Sequence, residues 1–259
     1  MLAQPFAGVP HFPPTSHLLG VLPARWGSTR FPGKPLHLIA GKPLIQHVWE
    51  RCQQCRNLDE ILIATDDARI LAAVTAFGGK AVMTSPDHPT GTDRIAEVVR
   101  GVPQATHIVN IQGDEPLIDP ALIDHLASAI GGNPSLDMAT AANPLDPSDP
   151  AVLDPNVVKV VTALDGRALY FSRSPLPYFR NPVPGLHVLR HKGIYAYSRA
   201  FIERFVTWPP SPLELAESLE QLRALEHGAA IRVLLTHDSS PGVDTLEQAA
   251  LIESLLSSH

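Results

Sequence analysis

The segment RWGSTRFPGK, residues 25–34, combines residue types that bind anions. Three permanent cations and two hydroxyls stand within ten residues: Arg25, Arg30, Lys34, Ser28 and Thr29. Its glycines allow the backbone to approach a ligand closely, and amides, hydroxyls and cations together can cradle a polyanion such as a triphosphate. Lys34 precedes Pro35, so the segment matches neither GxxxxGK[ST] nor GxGxxG. We predict a phosphate-binding loop of another kind, and a solvated basic loop is the alternative.

Two aspartates are candidates for the carboxylates that a divalent cation on a triphosphate would need. Asp114 follows the apolar run 108–113, and Asp244 lies in a glycine-containing turn before the last predicted helix. Mg²⁺ is commonly held by one or two carboxylates together with phosphate oxygens and waters. Each aspartate also has a plainer interpretation as a cap or turn residue, and Asp244 resembles a helix N-cap with Glu247 at the third helical position.

The elements that must position these residues alternate along the chain. Apolar, β-branched runs predict strands at 18–23, 60–65, 80–84, 106–111, 136–142, 157–163, 191–197 and 231–237. Helical spacing predicts helices at 43–55, 67–77, 92–100, 120–130, 199–206, 212–227 and 245–256. Several strands are apolar on both faces, which favours a mostly parallel sheet covered by helices in an open α/β fold. Such sheets bind ligands beyond the carboxyl ends of their strands.

The helix predicted at 212–227 has clear end signals. Ser211 at the N-cap, Pro212 and Glu214 form a capping box with proline in the first turn, and Gly228 suits the left-handed position after the helix. The proline-rich segments 143–155 and 175–185 bracket a stretch that we expect to form a smaller lobe or flap.

Composition excludes several classes of protein. The chain has 259 residues and a formal net charge of −6, which argues against a general nucleic-acid binder. No window approaches the ~20 apolar residues of a membrane span, and residues 1–17 lack the pattern of a secretory signal. We expect residues 1–17 to be a disordered extension, residues 18–259 to form a single domain, and the location to be cytoplasmic. Cys52 and Cys55 form a lone CxxC, which we interpret as two helix cysteines; redox or metal chemistry is the alternative.

An ordered set of motifs carries a family resemblance. They are 23-PARWGSTRFPGKPL-36, 62-LIATDD-67, 90-TGTDRIAEV-98, 108-IVNIQGDEPLI-118, 170-YFSRSPLP-177, 191-HKGIYAY-197, 219-LEQLR-223 and 242-GVDT-245. Together they resemble the 3-deoxy-manno-octulosonate cytidylyltransferases, or CMP-Kdo synthetases. The resemblance implies a Rossmann-like nucleotidyltransferase with a mostly parallel sheet flanked by helices and a smaller inserted lobe. It also implies a homodimer that uses Mg²⁺ and transfers CMP from CTP to the acidic sugar Kdo for lipopolysaccharide biosynthesis.

Carried over to this chain, the resemblance assigns roles to individual residues. The CTP phosphates would contact Arg25, Ser28, Thr29, Arg30 and Lys34. The nucleotide site would be completed by Gly91, Thr92 and Gln112. Mg²⁺ would be bound by Asp114 and Asp244, which with Arg25 and Lys34 are the implied catalytic residues. The sugar acid would be held by Arg94, Arg173, His191, Tyr195, Glu220 and Gln221.

The chemistry of Kdo agrees with those sugar roles, although each residue has an ordinary alternative. Arg173 suits a carboxylate, and Glu220 and Gln221 suit hydroxyls. Without the resemblance, His191 reads as a surface histidine, Tyr195 as a core aromatic, Arg173 as a surface ion-pair residue and the Glu220–Gln221 pair as a solvated helix face.

Two departures and two rival functions remain open at this point. The extension before Leu18 is not part of the usual pattern, and 181–190 looks shorter than this variable segment often is, which puts the sugar preference in question. One rival is a synthetase for a related sugar, such as 8-amino-Kdo or a sialic-acid-like acid. The other is a non-catalytic module that senses CTP.

Overall fold

A computed structural model describes residues 16–27 and 31–257. The predictions for Ser28, Thr29 and Arg30, and that for residues 1–15, therefore fall outside the described residues. His17, which we had placed in the extension, donates its N–H to Thr106 Oγ1 at 2.9 Å and is already tied to the fold. The single domain over 18–259 stays a prediction.

Strands and helices alternate along the described chain as the periodicity predicts. The strands are β1 (Leu18–Ala24), β2 (Leu38–Ile39), β3 (Lys42–Pro43), β4 (Glu60–Thr65), β5 (Ala81–Met83), β6 (His107–Asn110), β7 (Met138–Leu145), β8 (Lys159–Thr162), β9 (Ala168–Ser172), β10 (Val188–Ser198) and β11 (Ile231–Leu235). The helices are α1 (Leu44–Cys52), α2 (Ala68–Ala76), α3 (Gly91–Arg100), α4 (Pro120–Gly131), α5 (Arg199–Phe205), α6 (Pro212–Glu217), α7 (Gln221–Glu226) and α8 (Leu246–Ser257).

The main sheet is mostly parallel, with one reversed strand. Its order is β11-β7-β10-β6-β1-β4-β5. Strand β1 pairs in parallel with β4 and β6, whereas β10 runs antiparallel to both β6 and β7. The carboxyl ends of β1, β4 and β6 therefore meet at one edge, which is where an open α/β sheet places its ligand site.

Both faces of the sheet are buried, as the continuous apolar strands predict. On β1, Leu19 and Val21 face a core that includes residues of α3 and α5, while Leu18 and Leu22 face a second core with residues of α1, α2 and α4. Successive side chains of a strand point to opposite faces, so a strand covered on both sides must be apolar throughout.

The smaller lobe is a hairpin added to the long strand β10. Strand β8 pairs with β9, and Val160 of β8 lies opposite Leu189 of β10. We predicted β8 but not β9, whose sequence ALYFS is short and has no regular alternation of exposed and buried positions.

The helix predicted at 212–227 is two helices, which is a correction. The capping box exists, since the Ser211 N–H donates to the Glu214 carboxylate at 3.0 Å, and Gly228 has φ 76°. The chain breaks at Ser218, whose φ is 51°. Arg173 donates to the carbonyls of Glu217 (2.7 Å) and Ser218 (3.4 Å), groups that a continuous helix would use for its own hydrogen bonds.

Within the ranges 16–27 and 31–257, no helix has both the length and the apolar character needed to cross a bilayer.

Candidate active site

The basic segment 25–34 is pinned where it leaves β1. The Trp26 N–H donates to Asp66 Oδ1 (3.3 Å), and the Gly33 N–H returns to the Trp26 carbonyl (3.1 Å). The Arg69 guanidinium carbon lies 3.3 Å from the centre of the indole ring, a cation–π contact. Gly33 has φ 71°, and a Cβ there would fall 2.9 Å from the same ring. Glycine is therefore required at the point where the segment closes on itself, and exposed Arg25 lies beside that closure.

Lys34 brings the two predicted metal carboxylates together. Its Nζ lies 2.7 Å from Asp114 Oδ2 and 3.1 Å from Asp244 Oδ1. The three residues are far apart in sequence and come from the β1 loop, the end of β6 and the turn before α8. Two carboxylates and one ammonium thus share a single point at the carboxyl edge of the sheet.

Backbone contacts explain this convergence. A Cβ on Gly113 would lie 2.8 Å from the Pro23 carbonyl, so only glycine lets the segment after β6 pass so close to the end of β1. The Val243 N–H donates to the Asp114 carbonyl at 2.8 Å. That bond lays the turn carrying Asp244 directly beside Asp114.

Asp244 does not cap α8, so the plainer interpretation of this residue is wrong. Gln248 Oε1 accepts from the N–H groups of Asp244 (2.6 Å) and Thr245 (3.1 Å), while Thr245 Oγ1 accepts from the Gln248 N–H (3.3 Å). Thr245 and Gln248 therefore satisfy the start of the helix, and the Asp244 carboxylate faces Lys34.

The carboxylate pair fits a magnesium ion bound together with a phosphate ligand. The side chains of Asp114 and Asp244 are 30% and 49% exposed, so both reach solvent. Among the described residues, no group of three or more His, Cys, Asp or Glu side chains is placed to hold a metal. A cation at this pair would need further oxygens from its ligand and from water, which is the usual coordination of Mg²⁺ at nucleotides.

His191 and Tyr195 stand side by side on β10 as neutral groups. Their rings are 5.4 Å apart, and the His191 ring also packs edge-on against Phe171. Burial lowers the pKa of His191 to about 3 and raises the pKa of Tyr195 well above its usual range. His191 Nε2 lies 3.0 Å from Thr140 Oγ1, whose proton goes to the Ile194 carbonyl (2.8 Å). Nε2 is then the donor and Nδ1 the free acceptor.

Glu220 and Gln221 face inward at the start of α7 and are not a solvated helix face. The Glu220 carboxylate accepts from Thr92 Oγ1 (2.6 Å) and Thr90 Oγ1 (3.0 Å), and burial raises its pKa. Gln221 is 5% exposed, and within the described residues its Nε2 has no hydrogen-bond partner. A buried amide donor without a partner is costly and suits a site that closes on a hydroxylated ligand.

Three further residues predicted for the nucleotide site lie between the charged edge and the residues of β10 and α7: Gly91, Thr92 and Gln112. A Cβ built on Gly91, the first residue of α3, would lie 4.0 Å from the Pro23 side chain at the end of β1. The next residue, Thr92, donates from Oγ1 to the Glu220 carboxylate. Gln112 donates from Nε2 to the Gly193 carbonyl of β10 at 2.8 Å. The nucleotide and sugar sides of the predicted site are therefore directly linked.

The guanidinium groups of two residues predicted to bind the sugar donate hydrogen bonds to oxygens of the protein itself. Arg94 is fully buried, and its guanidinium donates to Thr84 Oγ1 and to Asp66 Oδ2 (2.8 Å). Arg173 donates to the carbonyls of Pro155 (2.9 Å) and Glu217 (2.7 Å). The structure does not bring either guanidinium to the open side of the site, and their roles as ligand contacts stay predictions.

Asp66 is a site residue that sequence reasoning passed over. It follows β4, as Arg25 follows β1 and Asp114 follows β6, and it links Arg94 to the N–H of Trp26. The rule that places ligand residues after parallel strands would have found it, since β4 was predicted within the same bounds.

The CxxC pair lies away from this edge and is chemically quiet. Both cysteines are free thiols, with Cys52 buried and Cys55 half-buried. Burial raises the pKa of Cys55 to about 12 and raises that of Cys52 further. Thiols in this state are poor nucleophiles and poor metal ligands.

Comparison with known proteins places this geometry in a family. Residues 19–231 match a family model described as cytidylyltransferase. The 3-deoxy-manno-octulosonate cytidylyltransferase of Geobacter sulfurreducens is 51% identical over 239 residues, covering 88% of this chain and 95% of the relative. The enzyme of the same name from Myxococcus xanthus is 50% identical over 238 residues, covering 92% and 96%.

Solved structures agree with the sequence relatives. A CMP:2-keto-3-deoxy-manno-octonic acid synthetase complexed with CTP superposes with a TM-score of 0.90 at 44% identity, covering 94% of this chain and 99% of that one. A 4-diphosphocytidyl-2C-methyl-D-erythritol synthase from Anaerococcus prevotii has a TM-score of 0.63 at 14% identity and shares the fold alone.

The predicted fold class and the predicted family are both confirmed by these matches. The family model runs from Leu19 in β1 to Ile231, the first residue of β11, and includes Lys34, Asp114 and strand β10. This chain belongs to the cytidylyltransferase family, among the 3-deoxy-manno-octulosonate cytidylyltransferases.

Proposed function

We propose that this protein transfers CMP from CTP to 3-deoxy-D-manno-octulosonate, forming CMP-Kdo and pyrophosphate. The observation that carries the proposal is the convergence of Asp114 and Asp244 on Lys34, beside the pinned basic segment 25–34. Relatives at about half identity over most of the chain carry the name of this activity. The neutral His191 of β10 and the Gln221 amide of α7, whose Nε2 has no hydrogen-bond partner among the described residues, are polar groups suited to sugar hydroxyls.

The basic segment supplies the phosphate contacts in this proposal. Arg25 and Lys34, with the neighbouring Ser28, Thr29 and Arg30, offer charge and hydroxyl donors to the triphosphate. Gly91, Thr92 and Gln112 lie on the side of the nucleoside. The Gly33 N–H donates to the Trp26 carbonyl, so the two described ends of this segment, which carry Arg25 and Lys34, are joined before the ligand arrives; this lowers the cost of ordering them.

Asp114 and Asp244 would hold Mg²⁺ together with oxygens of CTP. When bound, the ion would neutralise phosphate charge and help orient the reacting groups. Lys34 remains beside both carboxylates as a cation that can follow the phosphate charge.

The proposed chemistry is a direct in-line displacement. The anomeric hydroxyl at C2 of the sugar gives its proton to water, and its oxygen forms a bond to the α-phosphorus. The bond from the α-phosphorus to the oxygen that bridges to the β-phosphorus breaks, and pyrophosphate leaves with that electron pair. His191, Tyr195, Glu220 and Gln221 would orient the sugar by hydrogen bonds. Arg25 and Lys34 would stabilise the charge that develops on the phosphates. Catalysis then rests on positioning and electrostatics, with no covalent enzyme intermediate.

Family membership also supports a proposal for the location, oligomeric state and partners of the protein. We propose a cytoplasmic enzyme that acts as a homodimer in lipopolysaccharide biosynthesis, with CTP and Kdo as small-molecule substrates and no nucleic-acid or membrane partner.

The test is pyrophosphate release from the purified protein with Mg²⁺, using CTP, ATP, GTP or UTP, and Kdo, 8-amino-Kdo, N-acetylneuraminate or no sugar. We expect release only when CTP and Kdo are both present, and its loss with EDTA. Release with N-acetylneuraminate or 8-amino-Kdo in place of Kdo would overturn the sugar assignment and keep the phosphate site. Binding of CTP without release with any sugar would favour the sensing module.

A further inference from the structure

A second charged cluster lies directly behind the carboxylate pair, and the proposed reaction does not use it. Lys192 of β10 is 6% exposed, and its Nζ lies 3.0 Å from Asp238 Oδ2 and 3.4 Å from Glu115 Oε2. Ser240 Oγ is 3.2 Å from the same nitrogen. A lysine so deeply buried is rare unless it is paired, and this one has two carboxylates as partners.

The partners of Lys192 lie on the two segments that carry the proposed cation ligands. Glu115 follows Asp114 in the chain, and Asp238 and Ser240 belong to the segment that runs from β11 to Asp244. One ammonium group therefore joins the segment that carries Asp114 to the segment that carries Asp244. The bond from the Val243 N–H to the Asp114 carbonyl and the Lys34 ammonium between Asp114 and Asp244 also join these segments.

Lys192 is itself fixed from the β10 side. The pairing of β10 with β7 shifts register between Lys192 and Tyr195, and the Thr140 hydroxyl donates to the Ile194 carbonyl inside this irregular stretch. Gln112 donates to the Gly193 carbonyl in the same stretch. The sheet thus fixes the position of the Lys192 ammonium group, and this group in turn holds the segment that carries Asp114 beside the segment that carries Asp244.

Removing the charge of Lys192 would leave two buried carboxylates facing each other. Like charges in a poorly solvated place repel, and breaking a buried ion pair on one side exposes that repulsion. Separation of the segment at Glu115 from the segment at Asp238 would relieve this repulsion. Such a separation would carry Asp114 away from Asp244.

We propose that Lys192 is a positioning residue, which fixes the distance between the two carboxylates that receive the metal–nucleotide. It acts through Glu115 and Asp238 and contacts neither the ligand nor the reacting atoms. The proposal rests on the proposed function only for the identity of the ligand, a divalent cation bound to CTP.

The test compares CTP binding with and without a cation, in the absence of any sugar. The affinity for CTP in EDTA and for CTP with Mn²⁺ is measured by calorimetry for the parent and for Lys192→Met. We expect Lys192→Met to weaken Mn²⁺·CTP binding about tenfold, as expected when support behind metal ligands is removed, and to change metal-free CTP binding much less. Turnover should fall with the Mn²⁺·CTP affinity, while KM for the sugar stays near that of the parent.

Arg199→Met is the matched control. Arg199 is a partly buried cation that pairs with Glu203 at 2.8 Å and donates to the Val102 carbonyl at 2.8 Å. It follows Ser198, which pairs with His107 at the opposite end of β6 from Asp114. We expect this variant to lower the melting temperature without changing either CTP affinity.

Two results would overturn the proposal. One is a folded Lys192→Met protein that binds Mn²⁺·CTP as the parent does. The other is tighter Mn²⁺·CTP binding, which would show that Lys192 only opposes the cation by its charge. If Lys192→Met does not fold, Lys192→Gln, which keeps hydrogen-bond donors, is measured with the same criteria. If the parent binds Mn²⁺·CTP but transfers nothing to Kdo, the proposed function fails while this comparison still decides the role of Lys192.

Discussion

Several charged side chains around the site are held by close polar or charged neighbours. Lys34 sits between two carboxylates, Lys192 between two others, and Arg94 between Asp66 and Thr84. Burial keeps His191 neutral by lowering its pKa to about 3, and burial raises the pKa of Glu220. The site therefore presents a charged edge for phosphates and a largely neutral wall on β10.

The carboxylate pair gives the first prediction at this scale. Asp114→Ala or Asp244→Ala should lower the turnover rate with CTP and Kdo by on the order of 10²-fold or more, or at least ~2.7 kcal/mol of transition-state stabilisation. Each change removes a proposed Mg²⁺ ligand and leaves Lys34 unbalanced. Initial rates of pyrophosphate release measure the effect. Asp165→Ala, an exposed aspartate in the hairpin turn, should stay within about twofold of the parent. Near-parent turnover in a folded Asp114→Ala protein would remove this residue from the mechanism.

His191 gives a prediction about pH and stability. Its pKa is about 3 in the folded protein against roughly 6.5 in an unfolded chain. Below pH 6.5 the His191 imidazole binds a proton in the unfolded state but stays neutral in the folded state. The free energy of unfolding therefore falls as pH drops. We expect His191 to account for a loss on the order of 1 kcal/mol between pH 7.5 and 5, allowing for partial exposure of the ring.

Urea denaturation of the parent and of His191→Asn at the two pH values measures this contribution. The variant should lose less stability than the parent on acidification, and exposed His187→Asn should behave as the parent does. Equal pH dependence in the parent and His191→Asn would show that the ring takes up its proton in the folded state.

At the scale of elements, the long periodic segments were predictable and the interruptions were not. Strand β4 was predicted at its observed bounds because its apolar run is continuous and ends at polar Asp66. The break between α6 and α7 was missed because its cause is remote: Arg173, over forty residues earlier, takes the carbonyls that would continue the helix. Local propensity cannot report such a contact.

The site was predictable to a similar extent for a similar reason. Residues that follow parallel strands, such as Asp114, were found because topology places them. The partners of Arg94 and Arg173 were not, because nothing in a sequence shows whether a guanidinium meets a ligand or a carbonyl of its own chain. The buried link through Lys192 also passed unnoticed, since a lysine beside His191 reads as one more polar residue.

The break at Ser218 yields a prediction for this scale. Ser218 has φ 51°, in the left-handed region, and the turn there directs Glu220 and Gln221 into the site. Ser218→Gly should keep the stability of the parent within about 0.5 kcal/mol, because glycine accepts this conformation. Ser218→Val should cost roughly 1–2 kcal/mol and raise KM for the sugar, since a β-branched residue resists it. Thermal melts and steady-state kinetics on the pair decide the matter, and a Ser218→Val enzyme with parental KM and stability would contradict it.

At the scale of the whole molecule, the two parts of the sheet carry different kinds of residue. The parallel strands β1, β4 and β6 bring the charged residues to one edge, and the reversed strand β10 brings His191 and Tyr195 alongside them. Strand β8 of the β8–β9 hairpin pairs with β10, so the lobe is continuous with the strand that carries His191 and Tyr195, two of the proposed sugar-binding residues. The exposed apolar side chains Leu153, Tyr178 and Val183 lie on segments that flank this hairpin.

Those side chains motivate a prediction of assembly. We expect the protein to be a dimer in solution, with a mass by light scattering near twice the chain mass of 28.0 kDa. Tyr178 is 88% exposed, and Tyr178→Glu combined with Val183→Glu should shift the mass toward the monomer. Lys80→Glu, on the exposed surface near β5, should not. A parent that is monomeric at micromolar concentration would contradict the prediction.

The quiet cysteines have a practical consequence. Burial keeps the thiols of Cys52 and Cys55 protonated at neutral pH. We therefore expect maleimides and similar thiol reagents not to label them. A single cysteine introduced on the exposed stretch near Tyr178 would then be the one position that takes up a fluorophore. The native chain can serve directly as the background for such a probe of the lobe.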